Sequence, residues 1–263
     1  MLISRSGRSP LTATGSPPGA EIKHPTLGIV VALATEARAL GRPLHRAEGL
    51  ARLRDGTLIA VSGIGCAAAA RGSERLIAAG STALVSFGLA GALDPALPPG
   101  AIVVADQVLL EGSDRSLEPP PTWRQRVHES LRARGLQPLE RGALLTSARM
   151  LAAVADKATA FRATGAAVVD MESFAVGEVA ATHGLPFIAV RVVVDRAADE
   201  LPRALEELTG PSGEVSVGRL IAHLLGAPSG VGPVLRLARR YRAARRALRD
   251  IARAGALIAP ASG

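Results

Sequence analysis

Aromatic residues, cysteine and long uncharged apolar runs are scarce or missing in this chain of 263 residues. The single cysteine, Cys66, excludes a fold held together by disulfides. No run of about 18 uncharged apolar residues is present, so the sequence predicts no membrane-spanning helix. Aromatics make up 2% of the chain and hydrophobic residues 48%, which predicts a packed core of alanine, valine, leucine and isoleucine and excludes disorder.

The first 26 residues are rich in serine, glycine, proline and threonine and show no periodicity, so we interpret them as a disordered leader. They contain no apolar run long enough for a secretory signal, and the expected location is therefore the cytoplasm.

Nearly all of the net charge of +8 lies near the end of the chain, where eight arginines and one acid occur between Arg236 and Arg253. The remainder is close to neutral, so we expect no nucleic-acid partner. Residues 227–263 are predicted to be a linker followed by a basic amphipathic helix over Val234–Arg253, because apolar residues recur there every three or four positions. Two interpretations stay open: the helix lies peripherally on an anionic membrane surface, or it packs on its own domain.

Apolar strand-like runs alternate with helical segments along the rest of the chain, which predicts an α/β fold with a largely parallel sheet. The predicted strands are Leu27–Leu33, Leu58–Ser62, Ala83–Phe87, Ala101–Ala105, Gly142–Thr146, Ala166–Val169 and Phe187–Val194. The predicted helices are Ala34–Leu40, 66–79, Arg126–Arg134, Phe174–His183, Arg203–Leu208 and Arg219–Leu225, with a loop over 112–125 and a linker over 226–233.

Ligands of such folds bind at the carboxyl ends of strands, and five strand ends carry polar or glycine-rich sequence. Two of them are predicted as tight turns that let a ligand approach the backbone closely. The five segments are Ala34-Thr35-Glu36, Ser62-Gly63-Ile64-Gly65, Gly88-Leu89-Ala90-Gly91, Val169–Ser173 and Asp195-Arg196.

Three carboxylates at these ends each have two interpretations. Glu172 can bind a vicinal diol such as ribose, or it can accept helix N-terminal amides. Asp195 can be a general acid with a raised pKa, or a helix cap. Glu36 can orient a water or a sugar hydroxyl, or it can be a first-turn glutamate favoured by the helix dipole.

The order of these motifs resembles the nucleoside phosphorylase superfamily, and within it the 5′-methylthioadenosine/S-adenosylhomocysteine nucleosidases. The motifs are Gly28–Glu36, Ser62–Gly65, Gly88–Leu93, Val169-Asp-Met-Glu172 and Arg191–Asp199. The resemblance implies a three-layer α/β/α catalytic domain over 27–226 with a mixed, largely parallel sheet. It also implies a homo-oligomer.

The resemblance implies a role for each matching residue. Asp195 corresponds to the acid that protonates adenine, and Glu36 to the glutamate that positions the attacking water. Glu172 corresponds to the carboxylate that holds the ribose hydroxyls, and Met171 to the residue that packs on the sugar. The five histidines show no metal-ligand spacing, so we expect no metal, and we expect no organic cofactor.

Departures from the family pattern bear on the nucleophile. Leu89 replaces the usual serine of nucleosidases, which removes a polar contact near the purine or the catalytic acid. Ser86 stands where phosphorylases carry an arginine, which favours water as the nucleophile. Arg38 and Arg191 remain candidate phosphate ligands, so inorganic phosphate stays open as a co-substrate.

The Leu-Ala-Gly variant and the basic helix look most like the hopanoid-associated branch of the superfamily. That resemblance implies release of adenine from adenosylhopane, leaving ribosylhopane or phosphoribosylhopane. The alternatives are a methylthioadenosine/adenosylhomocysteine nucleosidase and a nucleoside-binding module without catalysis.

Overall fold

A computed structural model of the protein describes residues 26–41, 50–201 and 231–260. The predicted leader lies outside the described residues except for Thr26. The predicted helices Arg203–Leu208 and Arg219–Leu225 also lie outside them, as does the linker up to residue 230.

Strands and helices are interspersed along the described residues, but up to four strands follow one another without a helix between them, so the predicted alternation is only partial. The strands are β1 (Leu27–Val31), β2 (Leu50–Arg52), β3 (Leu58–Val61), β4 (Ala83–Ala92), β5 (Ile102–Val104), β6 (Val108–Leu110), β7 (Ser116–Leu117), β8 (Pro138–Leu139), β9 (Leu144–Thr146), β10 (Val168–Asp170) and β11 (Phe187–Asp195). The helices are α1 (Ala34–Ala39), α2 (Cys66–Ala78), α3 (Pro121–Ala133), α4 (Val154–Thr164), α5 (Ser173–Thr182) and α6 (Val231–Arg253).

All the strands of the described residues join one sheet, in the order β2-β3-β1-β4-β10-β9-β6-β7. A branch starts at β4, which also pairs with β11; β11 pairs with β5, and β5 pairs with β8. The neighbours β3, β1, β4 and β11 run parallel to one another, as do β10, β9 and β6. The pairs β2–β3, β4–β10, β5–β11 and β6–β7 are antiparallel. The predicted mixed, largely parallel sheet is confirmed.

Strand β1 shows why the fold has three layers. Its side chains alternate between the two sheet faces, so Ile29 and Val31 pack with α1, α3 and α6. Val30 faces the opposite side and packs in the cluster that contains α2 and α5. The predicted α/β/α architecture is confirmed.

Helix α3 begins at Pro121, five residues before the predicted start and inside the segment predicted as a loop. Proline is well tolerated in the first turn because the N–H it lacks has no partner there. Trp123 of this early part is buried in the core, which explains why a segment with a polar, proline-rich sequence is helical.

Helix α6 packs its apolar side chains into the main core, where Ala244, Leu248 and Ile251 are buried. It begins at Val231, so the last residues of the predicted linker belong to it. Of the two interpretations left open for the basic segment, packing on its own domain describes this apolar face. None of the helices in the described ranges combines the length and the hydropathy that a bilayer crossing requires.

Candidate active site

The predicted site residues converge on one edge of the sheet. Because β3, β1, β4 and β11 are parallel, the segments that follow them come together there. Strand β10 runs antiparallel to β4 and pairs Val169 with Gly91, which brings the Asp170–Glu172 segment beside the last part of β4.

Glu36 is buried in the first turn of α1, with 2% of its surface exposed. Its Oε2 accepts the backbone N–H of Leu33 at 2.9 Å, and its Oε1 accepts the N–H of Leu89 at 2.9 Å. Burial raises the pKa of Glu36, and the charge of Arg191 offsets this only in part. Of the two interpretations of Glu36, the contact with Leu33 confirms the first-turn glutamate that caps α1. The contact with Leu89 places the same carboxyl group beside β4.

Gly88 is where Glu36 meets the sheet. The prediction of a tight turn over Gly88–Gly91 is wrong, because this segment continues strand β4 to Ala92. Its backbone pairs with β11, Gly88 opposite Arg191 and Gly91 opposite Asp195. A Cβ at position 88 would lie 2.6 Å from Oε1 of Glu36 and 2.5 Å from Nη1 of Arg191. Glycine therefore lets these two side chains approach the backbone of β4 closely.

Glu172 immediately precedes α5 and is buried. Its Oε1 accepts the N–H of Gly65 at 2.9 Å, and Gly65 has φ of 96°, a left-handed conformation that favours glycine. Burial, reinforced by the nearby charge of Asp170, raises the pKa of Glu172 to about 7. Met171 beside it is half-buried, and its carbonyl accepts the Cys66 thiol at 3.3 Å.

Arg191 is buried beneath these carboxylates, at 1% exposure. Its Nη2 lies 2.5 Å from Oδ2 of Asp170 and 3.8 Å from Oε2 of Glu172. The same nitrogen donates to the hydroxyls of Ser86 at 2.6 Å and Ser173 at 3.0 Å. The polar partners of Nη2 are thus buried side chains, whereas Nε of Arg191 is buried without a hydrogen-bond partner in the described part of the chain.

Asp195 ends β11 and is 3% exposed. Its Oδ2 forms an ion pair with Nζ of Lys157, and its Oδ1 lies 3.3 Å from where a Cβ of Gly91 would be. Burial raises the pKa of Asp195, and the charge of Lys157 lowers it in part. The carboxyl group thus combines the raised proton affinity that an acid needs with a fixed position.

The remaining predicted residues fall into two groups. Ser62, Gly63, Leu89 and Ala90 lie at the same sheet edge, and the hydroxyl of Ser62 donates to the carbonyl of Gly63 at 2.7 Å. Arg38 is exposed on α1, and the structure places it with none of the buried carboxylates.

Sequence reasoning missed Lys157 as a member of the site, together with the helix α4 that carries it. One signal was available: the chain has 31 basic side chains, and all except Lys23 and Lys157 are arginines. The only signal for Asp170 and Ser173 in the sequence was their place next to Glu172 in the Val169–Ser173 segment. Across the described ranges, no group of three His, Cys, Asp or Glu side chains has an arrangement suited to a metal ion.

Comparison with known proteins identifies the family. A family profile described as the phosphorylase superfamily matches residues 26–226, which is most of the chain. The chain belongs to the phosphorylase superfamily. The predicted superfamily and the predicted enzyme class, an N-glycosidase or phosphorylase, are confirmed at this level.

One relative of this superfamily protein is a futalosine hydrolase from Streptomyces coelicolor, 30% identical over 213 residues, or 69% of this chain and 85% of the relative. The fold is similar to that of a 5′-methylthioadenosine/S-adenosylhomocysteine nucleosidase from Campylobacter jejuni (TM-score 0.60, 18% identity, 74% and 96% of the two chains). It is also similar to a futalosine hydrolase from Helicobacter pylori (TM-score 0.59, 18% identity, 77% and 98%).

Proposed function

We propose that this protein cleaves the N-glycosidic bond of a purine nucleoside, with water as the nucleophile. The observation that carries the proposal is the convergence of three buried carboxyl groups, Glu36, Glu172 and Asp195, on the segments that surround the end of β4. The pKa of each is raised by burial. Raised pKa values of this kind are concentrated at sites of acid–base chemistry.

The chemistry assigns one task to each group. Asp195 gives its proton to a ring nitrogen of the base while the C1′–N bond breaks and its electron pair leaves with the base. Glu172 accepts hydrogen bonds from the ribose hydroxyls, and Met171 packs on the sugar. Glu36 orients the water whose oxygen bonds to C1′ and accepts the proton that this water loses, and the carboxylates stabilise the positive charge that develops on the sugar.

The arginines support water over phosphate. Phosphate is a dianion and needs cationic or N–H donors turned toward the ligand. Arg191 instead directs its Nη2 to Asp170, Ser86 and Ser173, and Arg38 is an exposed side chain of α1. Inorganic phosphate is therefore the less favoured co-substrate, and the proposal includes no metal or organic cofactor.

As the substrate we propose adenosylhopane, an adenine nucleoside attached to a large hydrocarbon. The sequence resemblance to the hopanoid-associated branch supports this choice, through Leu89 in the Leu-Ala-Gly segment and the basic helix. A methylthioadenosine/adenosylhomocysteine nucleosidase is the alternative. The name of the 30% identical relative adds futalosine to the nucleosides that a test must include.

The exposed face of α6 supports a peripheral membrane position for such an enzyme. Five exposed arginines follow one another at alternating steps of three and four residues, which places them on one stripe opposite the buried face. This arginine stripe consists of Arg239, Arg242, Arg246, Arg249 and Arg253. Because the apolar face is used by the core, we propose electrostatic docking on anionic lipid headgroups rather than insertion, at about 1 kcal/mol per arginine near the surface.

The deciding experiment measures release of the free base from adenosylhopane in detergent, methylthioadenosine, adenosylhomocysteine and futalosine, each with and without phosphate. We expect release from adenosylhopane without phosphate, and at least about a thousandfold loss of kcat in Asp195→Asn, which retains the shape but cannot give up a proton. If only another of these nucleosides released its base, that nucleoside and not adenosylhopane would be the substrate. Strict phosphate dependence would contradict hydrolysis, and no release from any would contradict the function.

A separate experiment tests the arginine stripe. The triple variant Arg242→Glu/Arg246→Glu/Arg249→Glu should lose flotation with vesicles of phosphatidylglycerol, while the native chain floats at low salt and not at high salt. A matched control reverses three exposed arginines elsewhere, Arg71, Arg134 and Arg141. Equal loss in the two triple variants, or undiminished flotation of the stripe variant, would contradict docking through α6.

A further inference from the structure

Lys157 of α4 carries one of the most deeply buried charges in the described residues, at 1% exposure. Its Nζ donates to Oδ2 of Asp195, to the carbonyl of Asp199 at 2.9 Å and to the carbonyl of Arg196 at 3.1 Å. Three acceptors satisfy all three N–H bonds of an ammonium group. Lys157 is therefore bound as a cation, and it fastens the segment that follows β11.

Two further charged groups face Asp195. Asp199 accepts the backbone N–H of Arg196 at 2.8 Å, which closes the turn after β11. Arg240 of α6 lies 2.5 Å from the same Oδ2 of Asp199. Contacts thus connect Asp195 through Lys157 to the backbone of Asp199, whose carboxylate pairs with Arg240 of the C-terminal helix.

The two carboxyl oxygens of Asp195 differ in their hydrogen-bond partners. Oδ2 accepts the ammonium group of Lys157, whereas Oδ1 has no hydrogen-bond donor among the described residues. Both oxygens lie close to the last part of β4, 3.3 Å and 3.4 Å from where a Cβ of Gly91 would be. Burial favours the protonated carboxyl group and the Lys157 ammonium favours the carboxylate. An acid that must hold a proton and then release it depends on this balance.

We propose that Lys157 is a positioning residue for Asp195: it holds Oδ2, directs Oδ1 toward the nucleobase and stabilises the carboxylate that remains after proton transfer. The proton moves from Oδ1 to a ring nitrogen of the base as the glycosidic C–N bond breaks, and the electron pair of that bond leaves with the base. The inference rests on the proposed function, because that function makes Asp195 the acid.

A merely structural lysine would behave differently from a positioning one. Removing a structural cation would lower stability and reduce activity by one factor at every pH. Removing a positioning cation also raises the proton affinity of the Asp195 carboxyl group, so that it stays protonated to higher pH. The alkaline limb of the activity profile, where the acid has lost its proton, then moves to higher pH.

The test is Lys157→Met, which keeps the length of the side chain and removes its charge. Carboxyl ¹³C NMR of the unliganded protein, with the Asp195 signal assigned through Asp195→Asn, should show proton affinity at least about tenfold higher in the variant. The alkaline limb of kcat/KM should move the same way. Arg240→Met, which removes the cation that pairs with Asp199, should give a smaller change of the same sign.

An Asp195 titration that moves less than about twofold in Lys157→Met would overturn the inference, whatever the activity. A clear change in titration in a protein that releases no base would support the link between the two residues and contradict only the proposed function. If Lys157→Met does not fold, Lys157→Arg keeps the charge with altered donor geometry. It should lower kcat at least about tenfold with KM within about threefold, and an unchanged kcat would overturn the inference.

Discussion

Arg191 and Asp170 form a buried ion pair, with Nη2 of the arginine 2.5 Å from Oδ2 of the aspartate. The two residues come from β11 and β10, the strands that both pair with β4. Ser86 of β4 adds a hydroxyl acceptor at 2.6 Å, so the pair ties three strands together. The charge of Arg191 also acts on Glu36 and Glu172 and offsets part of the cost of burying these carboxylates at one sheet edge.

The first prediction concerns this ion pair. Arg191→Met should lower the free energy of unfolding by about 3–5 kcal/mol, because it leaves a buried carboxylate without its partner. The double variant Arg191→Met/Asp170→Asn should recover part of that loss, since an asparagine oxygen can still accept the N–H of Ser173, now 3.1 Å from Oδ2. Urea unfolding measures both. A single variant within about 1 kcal/mol of the native protein would contradict a structural role for the pair.

The second prediction concerns close packing at Gly88. Gly88→Ala places a methyl group 2.6 Å from Oε1 of Glu36 and 2.5 Å from Nη1 of Arg191, and both groups are buried. Displacing Glu36 by about 1 Å should lower kcat/KM by about a hundredfold, the usual effect of a misplaced catalytic group. Steady-state base release, with Tm recorded alongside, measures the change.

Gly177→Ala is the matched control for Gly88→Ala. Its added methyl group would lie 2.7 Å from Leu117 and 2.8 Å from Phe187, in core packing outside the cluster of carboxylates. It should lower Tm and leave kcat/KM within about threefold. Equal kinetic effects in the two variants would show that Gly88 has no special relation to Glu36.

Local sequence signals predicted the parts of this fold that depend on local pattern. The apolar runs of β1, β3 and β11 and the polar residues that follow them are each recognisable as a buried strand with a polar end. Because parallel strands align their carboxyl ends, the sequence alone is enough to place Glu36, Ser62 and Asp195 at one sheet edge.

Contacts distant in sequence account for what was missed. The extension of β4 over Gly88–Ala92 has a glycine-rich sequence with low strand propensity, and pairing with β11 decides its conformation. Strands such as β7 and β8 have two residues each, too few for any alternation to be recognised. Lys157 meets Asp195 across 38 residues, a pairing that no local pattern encodes.

The third prediction concerns pH and stability. The pKa of Glu172 is raised to about 7 in the folded protein, from an ordinary value of 4.5, so the folded state binds the proton more tightly than the unfolded state. Stability from this group is therefore fully present below pH 4.5 and is lost as the pH rises to about 7. Glu36 and Asp195, whose pKa values are also raised, contribute with the same sign.

Glu172→Gln removes this titration, so the variant should gain stability relative to the native protein between pH 5 and pH 8. Urea unfolding of both proteins in matched buffers measures the difference at each pH. A difference that stays constant across this range would show that Glu172 titrates alike in the folded and unfolded states.

The fourth prediction separates the two faces of α6. Leu248 is 1% exposed in the core that β1, α1 and α3 share, so Leu248→Ala should lower the free energy of unfolding by about 2–5 kcal/mol. Arg246, two positions earlier, is exposed on the arginine stripe, and Arg246→Ala should change stability by less than about 0.5 kcal/mol.

The effects on vesicle flotation should be the reverse: flotation should be reduced in Arg246→Ala and unchanged, per folded molecule, in Leu248→Ala. If instead Leu248→Ala leaves stability intact and weakens flotation, the apolar face of α6 belongs to the membrane and not to the core.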